Sequence, residues 1–188
     1  MGNRGEALHE IMKLRSEITQ LRTESWLNYE VFTWNWWLLI VFLIVPWIIW
    51  IKFVDRNRIF EVLLFGMIAI SITLYLDAVG DELLFWVYPI TFIPVGTIAL
   101  PFDVSMVGVA YMLVYQYFTT WKSYIIALVV MAGIYAFIGE SFAHWAELVY
   151  YPKWTFYYSF IYYILKGLLV KCLMERMRKM SVATVEDN

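Results

Sequence analysis

The sequence predicts an all-α protein, built as a polytopic bundle of transmembrane helices. Of its 188 residues, 62% are hydrophobic and only 16% are charged, against about a quarter charged in ordinary soluble domains. The hydrophobic residues fall into several long uncharged runs, and one helix needs roughly 20 such residues to cross a bilayer. The chain therefore has room for about five spans and little room for a separate soluble domain.

Three regions follow one another along the chain. Residues 1–32 predict an N-terminal amphipathic helix, residues 33–174 hold the transmembrane domain, and residues 175–188 form a basic tail that becomes disordered. The first region repeats hydrophobic residues at 3-4-3 spacing. This spacing fits a short coiled coil, a helix on the membrane surface or a solvated helix that leans on the protein. Self-association would use Ile11, Leu14, Ile18 and Leu21.

Five hydrophobic runs are the predicted spans, at residues 33–54, 59–79, 104–120, 124–142 and 154–174. A further stretch, residues 83–102, also carries no charge. It contains Pro89, Pro94 and Pro101, which remove backbone donors and oppose a straight helix. We therefore predict a re-entrant or interfacial segment there, with a sixth crossing as the alternative.

Basic residues between the spans predict the orientation. With five spans, Lys52, Arg56, Arg58 and Lys122 lie on the side of the C-terminal tail. The positive-inside rule makes that side the cytoplasm, so we expect a plasma-membrane protein with a cytoplasmic C-terminus. Six spans keep the C-terminus inside but move Lys52, Arg56 and Arg58 outside. The net charge of −2 gives no reason to expect a nucleic-acid partner.

The last predicted span leads into a basic cluster. Lys171, Arg176, Arg178 and Lys179 are predicted to contact anionic lipid headgroups. Lys166 lies within the span itself. We expect its long side chain to reach the cytoplasmic interface, with pairing to a buried carboxylate as the alternative.

Three acidic residues sit at or inside the ends of spans: Asp77, Asp103 and Glu140. Charge near the bilayer core is costly and often marks function. With five spans the three carboxylates share one side of the membrane, so they predict a ligand pocket beneath the proline-rich stretch. The alternatives are ordinary hydration at interface depth and, for Asp103, a helix N-cap.

Glu140, His144 and Glu147 have i, i+4, i+7 spacing. On one continuous helix they would share a face. Together with Asp77 or Asp103 they are a candidate oxygen and nitrogen metal site, whereas an interfacial histidine without a metal is the alternative. The sequence leaves any cofactor unknown; phosphate-binding glycine loops and the HExxH motif do not occur in it.

Motifs between Asp77 and Trp154 carry a family resemblance. They are Tyr88-Pro89, Pro101-Phe102-Asp103-Val104-Ser105, the run from Tyr111 to Tyr117, Trp121-Lys122-Ser123, Gly139-Glu140 and Lys153-Trp154. Through them the chain from about Leu21 to Lys179 resembles a family of small integral membrane proteins of Bacillus- and Clostridium-type bacteria. The resemblance implies a membrane protein with a loop at residues 90–102, and it implies no particular chemistry.

Three functions are compatible with these features. The first is binding or movement of a small lipophilic or cationic molecule in the carboxylate-lined pocket. The second is a structural or accessory role through partners, which would use the N-terminal heptads. The third is a small membrane enzyme with paired carboxylates as acids or bases. No catalytic residue is assigned, and a role other than catalysis is favoured.

Overall fold

Helices make up most of the computed structural model, which describes residues 3–96 and 99–186. They are α1 (Asn3–Ser25), α2 (Trp34–Phe53), α3 (Ile59–Glu82), α4 (Gly108–Tyr117), α5 (Trp121–Gly133), α6 (Glu140–Trp145) and α7 (Phe156–Glu186). A π-helical segment, Pro101–Val107, leads directly into α4, and another, Ile134–Gly139, joins α5 to α6. The predicted all-α class is confirmed.

Four helical stretches are long and apolar enough to cross a membrane: Trp34–Phe53, Arg56–Glu82, Trp121–Trp145 and Phe156–Met180. Each coincides with a predicted span. Only 11% to 28% of the residues in their most apolar windows are buried inside the protein. Apolar surface of this extent fits a lipid environment, because soluble monomers rarely expose large apolar patches. The predicted span at 104–120 corresponds to the shorter helix formed by Pro101–Val107 and α4, which packs against α2 and α3.

The proline-rich stretch forms turns and no helix over residues 83–96, as its prolines predict. It pairs with the loop that precedes α7. Val87 and Tyr150 exchange two backbone hydrogen bonds, with N–O distances of 2.8 and 2.9 Å. Residues 97–98 of this stretch lie outside the described residues.

The same stretch is fastened to the N-terminal part of the chain. Trp26 donates its indole N–H to the carbonyl of Thr91 at 2.9 Å, and Trp36 donates to that of Phe92 at 3.2 Å. The Glu30 carboxylate accepts from the backbone N–H and the hydroxyl of Thr91. These bonds satisfy backbone groups that no helix or sheet pairs, which a loop in an apolar environment requires.

Buried tyrosines connect α7 to the helices beside it. Tyr111 and Tyr124 are 1% and 0% exposed and lie in a core cluster shared by α3, α4, α5 and α7. Their hydroxyls donate to backbone carbonyls of α7, those of Tyr163 and Gly167. Each hydroxyl therefore has a partner, as a buried polar group needs.

The basic residues of α7 differ in part from the prediction. Lys171 is only 2% exposed, and its ammonium lies 4.1 Å from the ring centroid of Tyr124. The ammonium is held by the ring and by loop carbonyls, so the Lys171 side chain points back onto the protein, and its contact with lipid headgroups stays a prediction. Arg176, Arg178 and Lys179 are exposed, and their contact with lipid stays a prediction.

Helix α7 continues to Glu186, through the tail whose end the sequence predicts to be disordered. The residues after 174 are rich in Met, Glu, Arg and Lys, which are strong helix formers. A helix that is already nucleated therefore continues into them. Residues 187–188, like residues 1–2 of the N-terminal region, lie outside the described residues.

Gly167 sets the distance between α7 and α5. A Cβ atom at this position would lie 2.5 and 2.8 Å from the two methyl carbons of Leu128, which is fully buried. The two helices therefore approach each other closely at this glycine.

We expect Gly167→Ala to lower the free energy of unfolding by about 1–3 kcal/mol through overpacking, measured by thermal unfolding in detergent. Gly133→Ala is the control on the same helix pair. Its nearest neighbour is 3.9 Å away, so it should be neutral or stabilising. Equal losses at both positions would contradict this account.

Candidate functional site

A cavity of about 290 Å³ lies at one end of the bundle. It is bounded by the C-terminal end of α3, both π-helical segments, α6 and the first turns of α7, and the two paired loops contribute further lining residues. Asp77, Asp103 and Glu140 all line it. The three carboxylates that the sequence predicts to share one pocket therefore share one cavity, and their role in ligand binding stays a prediction.

Aromatic rings form much of the cavity wall. The aromatic lining residues are Phe42, Phe85, Trp86, Tyr88, Phe102, Tyr135, Phe142, Tyr151, Trp154, Tyr162 and Tyr163. Such a wall suits a lipophilic molecule, and the negative faces of the rings attract cations. Charges beside such an apolar wall are screened less than charges in bulk water, so they interact more strongly.

Asp77 is held by the proline-rich loop. Its Oδ1 atom accepts from the indole N–H of Trp86 at 2.8 Å and from the hydroxyl of Tyr88 at 2.5 Å. Burial and the nearby carboxylates raise the pKa of Tyr88 well above its usual range, so this hydroxyl stays protonated and donates. Gly80 makes the arrangement possible. A Cβ atom there would lie 2.1 Å from the Trp86 ring, which rests directly on α3.

Asp103 lies inside the π-helical segment and is 5% exposed. It is not an N-cap, because the helix already continues on both sides of it. Its carboxyl group lies within hydrogen-bonding reach of Asp77. Two neighbouring carboxylates in apolar surroundings repel each other unless a proton or a cation lies between them.

Lys166 lies close behind this carboxylate pair. It is 3% exposed, donates to the Thr73 hydroxyl at 2.6 Å and lies 4.5 Å from the ring centroid of Tyr111. Its ammonium attracts the Asp103 carboxylate. The expectation that Lys166 reaches the cytoplasmic interface is wrong, because its side chain is enclosed between α3, α4 and α7.

Glu140 follows the second π-helical segment directly, and both of its oxygens have partners. Ser159 donates to Oε2 at 2.8 Å and Tyr163 donates to Oε1 at 2.9 Å. Ser159 in turn accepts from the indole N–H of Trp154 at 2.8 Å. Two α7 side chains thus fix the carboxylate at the cavity wall. Extra residues in a helical turn often occur at functional sites, and here π-helical turns hold or precede both Asp103 and Glu140.

The cavity wall contains polar atoms that lack a partner. With the carboxyl groups ionised, four buried side-chain polar atoms have no hydrogen bond in the part of the chain that the structure describes, and three belong to cavity residues. They are Oδ2 of Asp77, Oδ2 of Asp103 and the hydroxyl of Tyr162; the fourth is Nε1 of Trp50. Buried polar groups are normally paired. The Thr73 hydroxyl lies within reach of Tyr162. The two carboxylate oxygens would be paired by a proton that Asp77 and Asp103 share, by a bound cation or by water.

The predicted metal site lacks its geometric basis. Helix α6 ends at Trp145, and the backbone of Glu147 has a φ of 54° that turns the chain away. Glu147 therefore leaves the face that holds Glu140 and His144. The imidazole of His144 instead lies 3.2 Å from a backbone carbonyl. Within residues 3–96 and 99–186, no three His, Cys, Asp or Glu side chains are grouped so that they could hold a metal ion.

Sequence reasoning missed several side chains of this site. Trp86 and Tyr88 lie in the proline-rich loop. The Tyr88-Pro89 motif drew attention to this loop, but the sequence did not indicate that its side chains would bind Asp77. Tyr162 and Thr73 had no distinguishing signal, because tyrosine and threonine are common in membrane helices. Their place in the site depends on which face of α7 and of α3 turns inward.

We expect Asp77→Asn to raise the free energy of unfolding by about 1 kcal/mol. The amide oxygen can still accept from Trp86 and Tyr88, and the amide N–H can donate to Asp103 where a second carboxylate repels it. Asp103 keeps its charge, so Lys166 does not lose an opposite charge nearby. Sites built for ligands are often less stable than their neutral variants. Thermal unfolding of the ligand-free protein in detergent measures the change, and a clear loss of stability in Asp77→Asn would contradict the proposed repulsion.

In comparisons with protein-family models, curated proteins and solved structures, nothing matches this chain. The resemblance to the family of small bacterial membrane proteins therefore stays a prediction. The function has to be inferred from the geometry of the cavity and its carboxylates.

Proposed function

We propose that this protein is an integral membrane protein that binds or moves a small lipophilic molecule with a cationic group, held in the carboxylate-lined cavity. The observation that carries the proposal is the close approach of two carboxyl groups, those of Asp77 and Asp103, whose Oδ2 atoms have no donor when both are ionised, within an aromatic wall. Carboxylate oxygens accept hydrogen bonds from an ammonium group.

Charge favours a cation over other ligands. The described lining residues include three acidic side chains and no Lys or Arg. Lys166 offsets one carboxylate from behind the wall. An ammonium group between Asp77 and Asp103 would remove their repulsion and pair both free oxygens. An anion would meet further repulsion, and a purely apolar molecule would leave the oxygens unpaired.

The cavity also limits the size of the ligand. An apolar cavity of about 150 Å³ holds benzene, and this cavity is about 290 Å³. A ring or short chain with a terminal amine fits such a volume, whereas a long-chain lipid would have to extend out of it. The rings around the cavity would contact the hydrocarbon part and, through their faces, the ammonium group.

The proposal includes an orientation in the membrane. The four long helices and the shorter helix that includes α4 form five spans, with residues 83–102 as a re-entrant or interfacial segment. Lys52, Arg56 and Lys122 lie at the end of the bundle opposite the cavity loops. The positive-inside rule then places the C-terminus in the cytoplasm and the cavity on the outer side of the plasma membrane.

The ligand class is tested with 4-phenylbutylammonium, titrated calorimetrically into the protein in lipid nanodiscs. Wild-type protein should bind it, and Asp103→Asn should weaken binding by about tenfold or more, equivalent to about 1.4 kcal/mol. The neutral 4-phenylbutanol and the anionic 4-phenylbutyrate should bind more weakly than the amine, because neither supplies a cation to the carboxylate pair.

Glu82→Gln is the matched control for this titration. Glu82 is an exposed carboxylate at the same end of α3 and does not line the cavity, so its removal should leave binding unchanged. Equal binding by wild type and Asp103→Asn would overturn the proposed site. Equal binding of the alcohol and the amine would overturn the ligand class.

The contact between Asp77 and Asp103 favours an enzyme as a second candidate, since a carboxyl pair that shares a proton can act as a general acid. Binding and catalysis predict different lipophilic molecules in the membrane and in extracts of the purified protein. Membranes that contain an active enzyme would gain a lipophilic product that is missing with Asp103→Asn. A binding protein would instead yield the same unaltered molecule on extraction, in amounts that fall with that substitution.

The orientation is tested by cysteine labelling in a Cys172→Ser background, since Cys172 is an exposed free thiol. Val95→Cys and Lys153→Cys lie at exposed positions of the cavity loops, and Asn57→Cys lies exposed at the other end. A membrane-impermeant maleimide should label the first two in intact expressing cells and the third only after permeabilisation. Labelling of Asn57→Cys in intact cells would reverse the orientation.

A further inference from the structure

Helix α1 presents an apolar stripe that the rest of the chain leaves uncovered. Residues 4–22 are all exposed. Ile11, Leu14 and Ile18 are each 51% exposed, and Leu21 is 65% exposed. Isolated helices of moderate length are marginal in water, so a helix with such a stripe needs a surface to pack on.

We propose that α1 pairs with α1 of a second copy of this chain as a parallel, in-register, two-stranded coiled coil. The stripe repeats with the heptad pattern: Ile11 and Ile18 occupy a positions, and Leu14 and Leu21 occupy d positions. Isoleucine at a combined with leucine at d favours parallel dimers over higher oligomers. This assembly is independent of the function of the cavity.

Charges beside the stripe select the same arrangement. Glu10 and Glu17 occupy g positions, and Arg15 and Arg22 occupy e positions. In a parallel, in-register pair each g residue faces the e residue of the following heptad in the other chain. Glu10 then meets Arg15 of the second copy and Glu17 meets its Arg22. An antiparallel pair would instead set glutamate against glutamate and arginine against arginine.

Two copies in one membrane have the same orientation, so their N-terminal helices leave the bilayer on the same side. A twofold axis along the membrane normal makes these helices parallel and in register without further adjustment. Arg22 also lies 3.9 Å from Asp81 of its own chain, with a half-exposed side chain. This contact fastens the base of α1 to the bundle and leaves the guanidinium accessible to a second copy.

The composition of α1 argues against the membrane surface as the partner of the stripe. Surface-bound amphipathic helices are typically rich in Lys and Arg, which anionic lipids attract. Four acidic residues balance four basic residues in α1, so its net charge is zero: Glu6, Glu10, Glu17 and Glu24 against Arg4, Lys13, Arg15 and Arg22. Lipid electrostatics therefore add little to the apolar contact.

The test is disulfide cross-linking of the full-length chain in native membranes, in the Cys172→Ser background and with a mild oxidant. Leu14→Cys and Leu21→Cys should each form disulfide-linked dimers, since an in-register parallel pair places every d residue beside its own copy. Ser16→Cys, also at an exposed position but on the outer face of the proposed coiled coil, is the control and should form little dimer.

Light scattering in detergent supplies a second measurement. Wild type should have twice the 22.4 kDa polypeptide mass of one chain, and Ile11→Glu/Ile18→Glu should lose the dimer while keeping the thermal unfolding of the bundle. Cross-linking at only one of the two leucines would indicate an antiparallel pair and overturn the proposal. So would a monomeric wild type, cross-links to a different protein, or protection of the two cysteines from aqueous thiol reagents by lipid.

Discussion

Acidic side chains enclosed at one end of an apolar bundle are the constraint on which this structure depends. A carboxylate in such surroundings must find hydrogen-bond donors, a counter-charge or a proton. The chain provides donors for Glu140 from α7 and for one oxygen of Asp77 from the proline-rich loop. Lys166 attracts Asp103 from behind the cavity wall, although no ion pair within 4.0 Å joins the two. The carboxylate oxygens without a donor are the Oδ2 atoms of Asp77 and Asp103, at the place where these two residues meet.

The two loops at the cavity end follow from that constraint. Their pairing through Val87 and Tyr150 orients the Trp86 and Tyr88 side chains towards α3, where they donate to Asp77. A loop built in this way supplies part of the cavity's polar lining. The two π-helical turns also contribute to the cavity. Each changes which side chains of its helix face inward, and the two turns hold Asp103 and precede Glu140.

The two ends of the protein's interior differ in how completely their polar groups are paired. Tyrosine hydroxyls in the main core reach backbone carbonyls of α7, and Lys171 is enclosed by aromatic rings and carbonyls. Apart from Nε1 of Trp50, the buried polar side chains named at that end have partners, as in a structural core. The cavity end keeps carboxylate oxygens free, and this contrast supports a binding role there. The uncovered stripe of α1 is a separate feature that concerns assembly.

The sequence by itself determined the all-α class, the positions of the long apolar helices and the break at the prolines, because hydrophobic run length and proline chemistry are local properties. It also indicated that Asp77, Asp103 and Glu140 lie at the same end of the bundle. Only the tertiary structure decided that Asp77 meets Asp103, that Lys166 turns inward and that Glu147 leaves the helix face. These outcomes depend on helix rotation, on π-helical turns and on loop pairing, which arise from contacts between residues far apart in the chain.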